Sequence, residues 1–458
     1  MAIAIHHIDA FEGTVLAPGD HGWDAARQAF NTDIDQRPAA IAMPADAVDV
    51  ANALRFATRH GLRVAPQRTG HNAGPLGDLQ DVLLLKTDAF DGVEIDEAAR
   101  RVRVGAATRW EQVTPRLSEL GLAALHGSSP DVGIVGYSLG GGIGWLARKH
   151  GMQTNAVTAI ELVTAEGRLV RTDHQHEPEL FWALRGGGGN FGVVTAIEFE
   201  VQPVGELYAG ALFFGLEQTA DVLHAWTELL PHLPEEITSW ANVLHFPPLP
   251  ELPAAIRGRS FAVVMAALLG SEADGRELLR PLRELRPEMD TFAIQPPVGL
   301  SELAMDPREP LPFRSTHALI DELSGAAVED VARLAGPGSS LTMVQLRHMG
   351  GALARREPGA GARATLPGEI CVFGLGVVPD AAAEPAVLSE LAALSTAIAP
   401  RRVGEYPNFI EKPVAVSGFF DPHTWERLRH VKALYDPEDL FKGNHHIPPA
   451  ESRYAAAA

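Results

Sequence analysis

Two textures of hydrophobic patterning divide the chain near residue 204. Before it, short apolar runs alternate with helical periodicity and glycine-rich breaks. After it, strand-like apolar runs are separated by helical stretches and proline-rich turns. Across residues 39–64 a short apolar strand is followed by Pro44. Apolar positions Val48, Ala51, Leu54 and Ala57 then recur three apart up to Gly61, which suits a helix C-cap. The segment predicts a strand, a helix and a second strand. Residues 82–85 and 102–105 read as buried strands, residues 110–120 as a helix, and residues 159–165 and 168–172 as a hairpin turning at Glu166-Gly167.

In the second region, residues 209–214, 261–268, 315–320, 341–348 and 370–376 predict an antiparallel sheet backed by helices. The run Pro247-Pro248-Leu249-Pro250-Glu251-Leu252-Pro253 predicts a stiff surface loop. A helix expected over residues 424–434 stops before Asp436-Pro437, because the residue preceding a proline disfavours helical geometry.

At 458 residues the chain exceeds what one hydrophobic core usually organises, so two domains are expected, and 46% hydrophobic residues suffice for both. A formal charge of −20 without any Lys/Arg-rich run would repel a phosphate backbone, which excludes nucleic acid as a partner. The single cysteine, Cys371, excludes an internal disulfide and a cysteine-cluster metal site, fits a reducing compartment, and reads as a small buried hydrophobe. No leader pattern begins the chain, and no run approaches the roughly 20 apolar residues that span a bilayer. A cytoplasmic protein with no membrane partner is the expectation.

Two glycine-rich stretches carry the candidate chemistry. One is Gln67-Arg68-Thr69-Gly70-His71-Asn72-Ala73-Gly74. The other is Gly127-Ser128-Ser129-Pro130-Asp131-Val132-Gly133, running on to Gly140-Gly141-Gly142-Ile143-Gly144. Glycines at this density bring backbone N–H groups close to an anion, and the second stretch is expected to open a helix whose positive end favours a pyrophosphate. The run Gly187-Gly188-Gly189-Asn190-Phe191-Gly192 formally satisfies G-x-G-x-x-G. Residues 193–201, directly after it, alternate like a strand and not like a helix, so the dinucleotide fingerprint fails its structural condition. The pairs His6-His7 and His445-His446, and His174-Gln175-His176, lack carboxylate or cysteine partners at ligand spacing, so no metal is expected.

These stretches are joined by Arg185 through Thr195, Tyr406-Pro407-Asn408-Phe409, Arg427-Leu428, Tyr435-Asp436-Pro437, Phe441 and Asn444. Together they resemble, over most of the chain, the FAD-linked oxidases of the vanillyl-alcohol oxidase superfamily, in the branch of berberine bridge enzyme and the oligosaccharide oxidases. The resemblance implies an α+β, two-domain flavoprotein. Its FAD-binding domain would be discontinuous, with residues 1–204 rejoined by a C-terminal segment at 401–458. An antiparallel-sheet substrate domain backed by helices, residues 205–400, would roof the flavin.

The same resemblance implies cofactor contacts from Gln67, Arg68, Thr69, Gly70, His71, Asn72, Ser128, Ser129, Pro130, Asp131, Val132, Gly133, Gly141, Gly142, Gly144, Val194 and Asn444. His71 would carry one covalent bond to the FAD 8α-methyl carbon. Relatives with a second link have a cysteine where Ser129 stands, and serine cannot form that thioether. Val132 would sit at the oxygen-access position, Val194 near the adenine and Asn444 at the isoalloxazine. Tyr406 and Asn408 would be catalytic, Tyr406 as the base that takes a hydroxyl proton. A phenol of pKa about 10 needs a cation or a strong hydrogen bond for that role, and Arg347 and His348 are the candidates.

The implied activity is oxidation of a small organic substrate, a sugar, polyphenol or other hydroxyl-bearing metabolite, with O2 reduced to hydrogen peroxide. A dehydrogenase using another acceptor and a flavin-binding protein without turnover are the alternatives.

Overall fold

The computed structural model describes residues 7–451, so His6 and the extreme ends of the expected first and last segments lie outside the described residues. Within them, Ala40–Met43, Val82–Lys86 and Arg63–Gln67 pair in parallel, and Thr14–Leu16 adds antiparallel to Ala40–Met43. The connecting helix Ala47–His60 is capped by Asp46, whose carboxylate accepts the Val48 and Asp49 N–H groups, and closed by Gly61 at φ +66°. Its Val50, Leu54 and Ala57 pack on Ala40, Val64, Leu83 and Leu85.

A second, antiparallel sheet orders Val93–Asp96, Arg101–Gly105, Val193–Glu200, Val157–Val163 and Leu169–Thr172. Val193–Glu200 lies in the stretch the alternation marks as extended, and the helix beside the glycine run, Pro178–Gly187, precedes it instead of following it.

The roof is a nine-stranded sheet among the described residues. Its central strands are Leu207–Gly215, Ser260–Leu268, Ile237–His245, Met343–His348, Ile370–Val377 and Phe313–Ile320. Strand alternation sorts its side chains onto two faces. Ala241, Val243, Val344, Leu346, Ile370 and Val372 face the helices Thr219–Leu229, Gly325–Leu334 and Glu384–Ile398, whose Trp226, Val331 and Leu394 complete that core. The opposite face presents Trp240, Met343, Arg347, Phe373 and Leu375 toward the first region.

After the roof, the chain comes back to the first region. Leu428, Val431 and Ile447 are buried with Ile160, Phe181 and Phe199, and Leu440 and Phe441 with Val64. Asn190 fastens this tail. It donates to the Gly187 and His445 carbonyls, accepts from Ile447 N–H, and its own carbonyl receives the fully buried Lys432, which also pairs with Asp436. No helix among the described residues is long and apolar enough to cross a membrane.

Candidate active site

A cavity of about 930 Å3 opens between the glycine-rich loops and the bare face of the roof sheet. Its floor is largely backbone. Gly127, Gly133, Gly136, Gly140 and Gly186 through Gly189 line it, and a Cβ built at Gly189 would meet nothing within 4 Å, so the chain there offers its peptide groups to the cavity unobstructed. Such a floor suits the pyrophosphate and ribityl oxygens of FAD.

Of the expected cofactor residues, Gln67, Arg68, Thr69, Gly70, His71, Asn72, Ser128, Ser129, Val132, Gly133, Val194 and Asn444 line this cavity, as do Tyr406 and Asn408. Pro130, Asp131, Gly141, Gly142 and Gly144 do not. Asp131 stands behind His71. Pro130 gives its carbonyl to Glu111 N–H at 2.7 Å. The three glycines serve the cavity wall from behind. The helix opened by the second stretch is Ile134–Gly140, so Gly141 to Gly144 follow its C-terminal end, away from its positive pole. Gly144 passes so close to the His126 carbonyl that a Cβ would fall 1.8 Å from its oxygen. The expectation that this run cradles the pyrophosphate gives way to a different use.

That use concerns Tyr406. Its phenol oxygen receives the backbone N–H groups of Gly142 at 3.1 Å and Ile143 at 3.2 Å, and the Asn408 amide at 3.0 Å. Asn408 is itself anchored by donating to the Tyr137 carbonyl, and Gly140 leaves room for its oxygen, 1.8 Å from where a Cβ would stand. Burial holds the phenol pKa well above its ordinary value, and Arg347 and the two backbone N–H groups offset that rise only in part.

Arg347 is buried, sandwiched between the Trp240 and Phe409 rings at 4.0 and 4.7 Å, and has no ion-pair partner among the described residues. Trp145 stacks beneath Trp240 at 3.6 Å, completing a rigid column under the guanidinium. His348, the other candidate cation, points to the opposite face of its strand and away from the cavity. Burial lowers its pKa to about 3, so it stays neutral. Cys371 is buried with its thiol pushed up to about 12, an inert core residue.

At the other end, His71 stacks on Phe30 with centroids 3.9 Å apart. Its Nδ1 lies 2.8 Å from the Thr69 hydroxyl. Its Nε2 lies 3.3 Å from Asp131 Oδ2 but out of hydrogen-bonding alignment, which leaves Nε2 and Asp131 Oδ1 both buried without a hydrogen bond. Asn444 ties itself to this loop by donating to the Asn72 carbonyl. Orphaned buried polar atoms beside a bare-backbone floor fit a bound flavin. His445 donates from Nε2 to the Pro407 carbonyl and is held neutral, its pKa lowered to about 4 by burial. No group of three or more metal-ligating side chains forms among the described residues.

Several residues carry no sequence motif. Arg363, buried with its Nε unpartnered, lies against Phe420 beside Gly141. Asp306, reached through Met305 at φ +58°, accepts the Ser129 hydroxyl at 2.6 Å and so joins roof to floor. Glu411 has a buried, unpartnered Oε2, and burial raises its pKa to about 7. Only the step-of-two pattern of the roof strands could have pointed to the cavity face, and it does so for Met343, Arg347, Phe373 and Leu375.

Residues 38–173 match the family model described as an FAD binding domain. (R)-6-hydroxynicotine oxidase of Paenarthrobacter nicotinovorans is 28% identical, with 97% of this chain and 98% of that protein covered. Among solved structures, BBE-like 1 of Physcomitrella patens superposes with a TM-score of 0.83 at 20% identity, covering 96% of this chain and 98% of that one. The glucooligosaccharide oxidase of Acremonium strictum, described with a 6-S-cysteinyl, 8α-N1-histidyl FAD, superposes at 0.80 with 21% identity, covering 96% and 98%. A backbone-floored cavity beneath an aromatic roof, an FAD-binding segment and these full-length likenesses agree. The chain is an FAD-linked oxidoreductase that carries an FAD binding domain and shares the two-domain fold of the berberine bridge enzyme-like proteins.

Proposed function

We propose that the protein is an FAD-dependent oxidase of a small, hydroxyl-bearing organic molecule, with the flavin bonded to His71 and O2 as the electron acceptor. FAD bound in the cavity supplies the hydride acceptor and returns the electrons to oxygen. Tyr406 accepts the substrate hydroxyl proton. The single observation carrying this reading is the convergence of three N–H donors on the Tyr406 oxygen, which stabilise negative charge there and offset part of the burial that otherwise holds the group as a phenol. Arg347 adds an unpaired positive charge to the same wall. Asn408 and the Gly142 and Ile143 amides are thus positioning groups, and Tyr406 is the base.

The roof favours a compact, ring-bearing substrate over a saccharide chain. Phe246, Leu252, Met343, Phe373 and Leu375 present apolar surface. The roof's polar groups are partly committed elsewhere, His245 to Ser260 and the Ala335 carbonyl, Thr342 to Val377 N–H. Ser129, bonded to Asp306, offers no second attachment point for the flavin.

The test is anaerobic bleaching of the flavin by a panel of aromatic alcohols and oligosaccharides, in the native protein and in Tyr406→Phe. With a substrate of the native protein, Tyr406→Phe should retain its flavin and reduce it roughly 100-fold more slowly or worse. Near-native reduction by Tyr406→Phe would remove the tyrosine from the reaction.

A further inference from the structure

Bonding a histidine nitrogen to a methyl carbon removes two protons, one from the imidazole and one from the methyl group, so the site needs two acceptors. One carboxyl group stands against His71 and a second lies on the wall of the same cavity. Asp131, buried, lies 3.3 Å from Nε2. Glu411 is brought to the His71 end of the cavity through the neighbours of both residues. Phe30 stacks on His71 while the next residue, Asn31, hydrogen-bonds Glu411, and Asn72 donates to the carbonyl of Ile410 at 2.7 Å. The Glu411 backbone also closes over the turn after His71, where a Cβ on Gly74 would fall 2.1 Å from its carbonyl oxygen.

The Glu411 side chain is not used by the fold in the usual way. Its Oε2 is buried, without a hydrogen-bond partner, in a residue that lines the same cavity as His71. No ion pair of Glu411 occurs among the described residues. A buried carboxyl left half satisfied at a cavity wall costs stability, and such groups concentrate where chemistry is done.

We propose that Glu411 is the base that takes the methyl proton when FAD becomes attached to His71, with Asp131 receiving the imidazole proton. The inference rests on the His71 linkage proposed above. In this step the C8α–H bond breaks, its proton passes to the Glu411 carboxylate and its electron pair enters the isoalloxazine. The C8α–Nδ1 bond then forms from the imidazole lone pair, and the Nε2 proton leaves to Asp131. Two electrons remain on the flavin, and O2 removes them as hydrogen peroxide. Glu411 raised to about 7 is matched to such a role near neutral pH.

The experiment uses the full-length flavoprotein as purified, following in air the fraction of flavin that stays with the polypeptide after acid precipitation, against the total flavin absorbance before it. Native protein should hold its flavin almost wholly acid-stable. Glu411→Gln should bind as much flavin but release most of it in acid, with attachment slowed roughly 100-fold, and Glu411→Asp should recover part of the rate. Glu411→Gln that attaches flavin at the native rate overturns the role of Glu411 and leaves the His71 linkage standing. Should Glu411→Gln fail to fold, Glu411→Asp decides: attachment at the native rate despite the shortened side chain also overturns it. Native protein that releases all its flavin in acid overturns both.

Discussion

The floor and the roof of the cavity are made of different material. The floor is peptide backbone exposed by glycine, stiffened by groups behind it such as Asn190, Lys432 and the Gly141 to Gly144 turn. The roof is side chain, projected from every second residue of a sheet whose other face is cemented to three helices. Much of this floor has little freedom to vary, because glycines such as Gly140 and Gly186 are set by a close approach or by a backbone conformation that a side chain would obstruct. The roof keeps its fold as long as the helix-facing residues keep their volumes, so its cavity-facing residues are free to choose a substrate. Under the proposed function, holding the cofactor and selecting the substrate are therefore physically separable.

The sharpest way to break this contrast is Gly144→Ala. The added methyl group would stand 1.8 Å from the His126 carbonyl oxygen, a backbone atom that no rotamer change can move aside. We expect a loss of about 3 kcal/mol or more in unfolding free energy, together with a fall in bound flavin, read by denaturant titration and by visible absorbance. A variant that is fully yellow and as stable as the native protein would show that the floor is plastic.

The same contrast explains how much can be read from the sequence. Gly70, His71, Ser129 and Asn444 belong to local patterns, and the alternation after Asn190 is enough to dismiss a nicotinamide fold, as the strand Val193–Glu200 bears out. The strand Ile237–His245 lies outside the predicted runs, although it is central in the roof sheet. Thr238, Ser239 and Asn242 interrupt its apolar run, and they are tolerated because Ser239 accepts the Trp226 indole N–H and Asn242 donates to the Val263 carbonyl. Glu411, Arg363 and Asp306 are invisible for another reason. Each is an ordinary charged residue outside any periodic element, and only tertiary packing brings it to the cavity. The turn Gly141 to Gly144 is legible as a motif but points to the phosphates, because its actual partner, Tyr406, is more than 260 residues away.

Glu411 sits where floor meets roof and sharpens the comparison through pH. Its pKa rises from 4.5 to about 7 because burial disfavours the carboxylate. Between those values the folded state holds a proton that the unfolded state has released, so this group's contribution to stability is present below about 4.5 and is lost as pH rises through 7. The rise corresponds to on the order of 3 kcal/mol at pH 8. Glu411→Gln should therefore equal the native protein in stability near pH 4 and exceed it near pH 8, measured as the difference in denaturant midpoint between the two proteins. A difference that does not change with pH would mean that the carboxyl is solvated, and that the junction is looser than the packing of Gly74 on Glu411 indicates.

The smallest effect tests the roof. Phe373 projects from Ile370–Val377 into the cavity and meets Phe409 with centroids 4.8 Å apart, while its neighbours Val372 and Gly374 face the helices. Phe373→Ala removes apolar surface from the substrate side without touching the floor or the helix-facing core. The expected result is a KM raised about tenfold, or about 1.4 kcal/mol, with kcat and flavin content little changed, since the ring is asked only to hold the substrate. If the variant instead loses flavin while keeping its KM, Phe373 supports the cofactor, and the boundary between the cofactor-holding floor and the substrate-selecting roof must be redrawn one strand deeper.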